Sequence, residues 1–87
     1  MVYVARTVYM PAGDELSGRV IHVGGGLVES ICMFAGEKPS MTFLSEVYLL
    51  KSRLQTTVYD IVKETYHEGE PLYAFYAERD GTLHLLS

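Results

Sequence analysis

The chain has 87 residues and a formal net charge of −4. That length leaves room for a single small domain, 1–87, and the surplus of acidic over scattered basic residues argues against a nucleic-acid or anionic-membrane partner. Hydrophobic residues nonetheless make up 48% of the chain, more than a monomer this small readily hides, which predicts self-association, most simply a twofold homodimer, or assembly with another protein.

Val2, Val4, Val8 and Met10 alternate with Tyr3, Ala5, Thr7 and Tyr9, the pattern of a strand. Arg6 falls on the aliphatic side, as at a sheet edge or in an ion pair. Pro11-Ala12-Gly13-Asp14 is turn chemistry. Gly18 to Phe34 then reads as a hairpin around Gly24-Gly25-Gly26, with Val20, Leu27, Ile31 and Met33 on one face and Ile21, Val23, Val28, Cys32 and Phe34 on the other. Both faces are apolar, so the hairpin is expected to be covered on both sides. Cys32 is the single cysteine, and its apolar setting predicts a buried, inert thiol.

Residues 35–40 carry loop chemistry. Residues 41–50 admit two readings. Phe43, Val47, Leu50 and Leu54 follow helical spacing with Ser40 as a cap, whereas 46–50 are rich in strand formers. The reading adopted is a short turn and then a strand at about 45–50. An amphipathic helix is predicted over about 54–68, with Leu54, Val58, Ile61, Val62 and Tyr66 as its apolar stripe. Thr57 and Asp60 resemble a capping box, His67 sits in the last turn, and Gly69 and Pro71 end the helix. Leu72 to Ala77 alternates as a strand, Asp80-Gly81 signals a type I′ turn, and Thr82 to Leu86 returns. The expected fold is therefore α+β: a curved antiparallel sheet of about six short strands, including hairpins 18–34 and 72–86, with one helix packed on it.

Few residues suggest chemistry. The triple glycine precedes a strand and lacks the spacing of a dinucleotide fingerprint, and neither a phosphate-loop Gly-Lys-Ser/Thr nor a G-x-S-x-G elbow occurs. His22, His67, His84 and Cys32 have no metal-ligand spacing, so no metal or cofactor is expected. His22 would lie across the hairpin from Glu29 if the turn is Gly25-Gly26, and such a pair is the best acid–base candidate. A cross-strand ion pair is the plainer alternative.

Seven tyrosines stand beside no tryptophan. Tyr3, Tyr9, Tyr73 and Tyr76, with Val28 and Ile31, are the candidate interface or ligand-facing residues. The function expected is a non-catalytic interaction or assembly module acting as a homo-oligomer. The competing reading is a small-ligand-binding protein or enzyme using His22 and Glu29 in a tyrosine-lined cleft. With neither a leader peptide nor a membrane-spanning run in view, a soluble cytoplasmic protein is expected.

Overall fold

A computed structural model describes residues 1–54 and 56–87. Six strands follow in chain order: β1 (Val2–Tyr9), β2 (Glu15–Gly24), β3 (Leu27–Met33), β4 (Met41–Leu50), β5 (Tyr73–Ala77) and β6 (Leu83–Leu85). They form one sheet in the order β3-β2-β1-β4-β5-β6, and an additional β3–β5 pairing bends it into a ring. Among the described residues there is no helix, so the fold is all-β and the α+β expectation is wrong. The sheet is mixed as well, because β1 and β4 run parallel while every other pairing is antiparallel. With no helix at all, none is long and apolar enough to cross a membrane among the described residues.

The ring closes at a single residue pair, Leu27 opposite Tyr73. Two backbone hydrogen bonds hold it there: Val28 N–H donates to Leu72 O at 2.8 Å and Ala74 N–H to Gly26 O at 2.9 Å. Inside lies a core of Tyr3, Ala5, Val8, Ile21, Val23, Val47, Leu49, Leu72, Ala74 and Leu86. Each comes from a strand or its immediate flank, so the sheet supplies its own interior and needs no helix to cover it.

The β2–β3 hairpin turns at Gly25-Gly26, both at positive φ (60° and 83°), as a tight two-residue turn requires. Val23 stands opposite Val28, but a bulge follows, and His22 then faces Ser30. Past the bulge Ile21 pairs with Ile31 and Val20 with Cys32. The expected face assignment, with Val20 beside Ile31, is therefore displaced by one residue along most of the hairpin. Cys32 emerges exposed, not buried.

On the hairpin's other face, residues 34–40 pass over a groove and leave Cys32 exposed, so the expected cover on both sides is incomplete. Because β4 runs parallel to β1, the chain must return across the sheet between β3 and β4. It crosses over the side bearing Val2, Val20, His22 and Cys32. Val4 and Val20 are buried on that side, apart from the main core. Ser40 ends the crossing at φ 67°, and β4 begins at once at Met41, so 41–50 is strand throughout, without the expected initial turn.

Residues 51–72 hold no regular structure among the described positions, and Gln55, within the expected helix, lies outside them. The segment is tied to strands and turns. Val58 N–H donates to Gly81 O, Leu83 N–H to Thr56 O and Glu64 N–H to Pro11 O, all at 2.8–2.9 Å. Of the expected stripe, Leu54 and Val62 are three-quarters exposed. Thr57 Oγ1 does donate to Asp60 Oδ2, at 2.8 Å, but in an isolated turn. The β5–β6 loop also differs from expectation. Only Gly81 has positive φ, and Gly81 N–H donates to Glu78 O, so the central pair is Arg79-Asp80 and not Asp80-Gly81.

Candidate functional site

The bulge decides the fate of the acid–base candidate. It consumes Glu29 as the extra residue of β3, so His22 is opposite Ser30 and the two side chains enter different surfaces. His22, half-buried, lines a groove beneath the crossover together with Cys32 and Lys38. Glu29 lies on the outer flank of β3, its carboxylate folded toward Gly24, where a Cβ would come within 2.8 Å of Oε2. No acid–base couple forms from this pair.

The candidate tyrosines do not share one platform. Tyr3 is buried in the core, and its hydroxyl donates to Ser87 O at 3.0 Å. Tyr9 stacks on Tyr48, with centroids 4.8 Å apart and planes 16° from parallel. Its hydroxyl donates to Glu46 Oε2 at 2.7 Å, and that bond, reinforced by the neighbouring negative charge, pushes the phenol up to about 12. Burial, then Glu46, raises Tyr48 as well. Tyr73 lies under the Arg53 guanidinium, 5.8 Å from its centroid. Tyr76 stacks on His84 at 5.4 Å. Each ring is thus matched within the fold. The Tyr48 partnership escaped sequence reading because it depends on β4 lying parallel beside β1. Val28 and Ile31 are half-buried and pack against the core.

Two surfaces remain. On the crossover side, Phe34 and Phe43 meet edge to face, 6.0 Å between centroids, yet stay 39% and 53% exposed. They flank a groove of about 310 Å³ that also takes in Val4, Arg6 and Leu44. Arg6 is exposed here in the middle of the sheet, since β1 is flanked by β2 and β4 and is no edge strand. The second surface is a groove of about 460 Å³ along β3, walled on its far side by Tyr66, Glu68, Glu70 and Leu72. Glu70 is held below the usual carboxylate range, first by the His67 backbone N–H and then by Lys51, whose Nζ is 3.0 Å away. Glu29 and Glu68 line the same groove without an ion pair among the described residues.

No group of three or more His, Cys, Asp or Glu side chains converges among the described residues. The arrangement defines a small β-domain whose distinctive surfaces are an aromatic face and an acidic groove. Comparison with models of protein families, with curated proteins and with solved structures gives no match.

Proposed function

We propose that the chain is a non-catalytic interaction module that pairs with a second copy of itself through the face carrying Phe34 and Phe43. The supporting observation is that this aromatic pair stays 39% and 53% exposed beside a groove that takes in the buried Val4. Two large rings beside a mainly apolar groove with Arg6 at its side form a surface that a twofold axis would make self-complementary, each copy's Phe43 entering the other's groove. The unpaired, exposed Cys32 suits a reducing compartment, and we place the module in the cytoplasm. Catalysis through His22 and Glu29 has lost its geometric basis.

The test is sedimentation of wild type against Phe43→Glu. A wild-type dimer that becomes a monomer, with thermal stability close to unchanged, supports the reading. A wild-type monomer at tens of micromolar, or a mutant that remains dimeric, refutes it. Val28→Glu or Ile31→Glu would not serve, since both residues pack against the core and their loss would report on folding.

A further inference from the structure

We propose that the outer edge of β3 accepts an extended, basic segment of another protein as an added strand. The ladder direction carries this inference. Phe34 N–H donates to Gly18 O at 3.0 Å, so at the end of β3 the residues bonded toward β2 are Phe34, Cys32 and Ser30. Alternation along an antiparallel pair then turns the N–H and C=O of Ile31 and Met33 away from β2. Among the described residues nothing receives them; the last bond on that edge is Val28 N–H to Leu72 O. Beyond the bulge at Glu29 the strand carries no proline, lysine or other charged residue to guard the open edge. An added strand would complete up to four main-chain hydrogen bonds there.

Charge selects the occupant. The groove beside this edge holds Glu29, Glu68 and Glu70, and among the described residues only Glu70 has an ion pair, with Lys51. A second copy adding its own β3 would bring another Glu29 and Glu68 to the same place, at a repulsive cost. A strand alternating Lys or Arg with aliphatic residues offers cations to the carboxylates and apolar side chains to Val28 and Ile31, all of which line that groove. This surface is separate from the Phe34–Phe43 face and does not depend on it.

The probe is the end-blocked peptide Lys-Val-Lys-Val-Lys-Val, followed by amide exchange and titration of the intact chain. Expected are slowed exchange at Ile31 and Met33, affinity that falls with salt, and no response to the Glu-Val counterpart. Met33→Pro deletes an outward N–H without removing an internal bond and should abolish the effect. Glu29→Gln with Glu68→Gln, both exposed, should weaken binding by roughly threefold or more, and gives an independent result if Met33→Pro does not fold. Phe43→Glu should leave peptide binding intact, which separates this proposal from self-association. Absence of protection up to the peptide's solubility limit, protection elsewhere, or full binding by Met33→Pro overturns strand addition. Equal binding of the acidic peptide overturns the charge argument. Ile31 and Met33 amides already slow in the free protein, with Met33→Pro giving monomers, would make the occupant a second copy and overturn the basic partner.

Discussion

Tyr9 shows how one side chain records the topology. Its hydroxyl reaches Glu46 only because β4 lies parallel beside β1, with Tyr9 opposite Tyr48. The phenol is raised from 10.0 to about 12, so the protonated ring favours the folded state. That contribution is complete below pH 10.0 and fades as pH climbs toward about 12. In an absorbance titration of tyrosinate, Tyr9→Phe should therefore remove a late-titrating ring. Glu46→Gln should move ionisation of both Tyr9 and Tyr48 to lower pH, and an unchanged titration curve would rule out the bond. Residue-scale readings succeeded where the cause was local. The triple glycine as a hairpin turn needed nothing beyond the turn itself, which falls at Gly25-Gly26. The bulge at Glu29 was not legible, because no proline or glycine marks it, and that single extra residue parted His22 from Glu29.

At the scale of elements, β-periodicity was the readable signal and the helix was the error. Strands β1, β3, β5 and β6 lie close to where alternation put them, whereas β2 starts at Glu15, ahead of the expected Gly18, and the β5–β6 turn is shifted by one residue. Residues 54–68 have apolar spacing that a helix could use, but they also carry Thr56, Thr57, Val58, Ile61, Val62 and Thr65, whose branched side chains fit helices poorly. The segment gains its backbone partners from the β5–β6 hairpin and from the loop after β1. Those bonds fix it in an irregular path, and propensity yields to tertiary context. Lys51 clamps it further, donating to Thr65 O at 2.8 Å and pairing with Glu70. Leu54→Glu and Val62→Glu should accordingly change unfolding stability by no more than about 0.5 kcal/mol, whereas Leu72→Ala should cost about 2–5 kcal/mol. Urea denaturation distinguishes the two. A large loss at Leu54 or Val62 would mean that the stripe packs after all.

For the molecule as a whole, the content of strands was foreseeable and their order was not. The parallel β1–β4 pairing joins segments separated by a full hairpin and a crossover. No pattern within either strand encodes that neighbour, and only the shared core makes it favourable. The same arrangement concentrates closure in one place. Among the described residues Leu27 and Tyr73 are the sole β3–β5 pair, whereas β1 is laced to β2 and β4 along nearly its whole length. A ring joined so unevenly has a seam, and thermal fluctuation will part the seam before it disturbs the rest. The Val28 and Ala74 amides, which bridge it, should exchange with deuterium faster than the amides of Val4 and Ile21, in a step that does not require global unfolding. Equal rates would mean that the domain opens only all at once. A seam of this kind turns the barrel into a clasp: its brief partings would free the β5–β6 hairpin as a unit, hinged on β4 and the long segment before it.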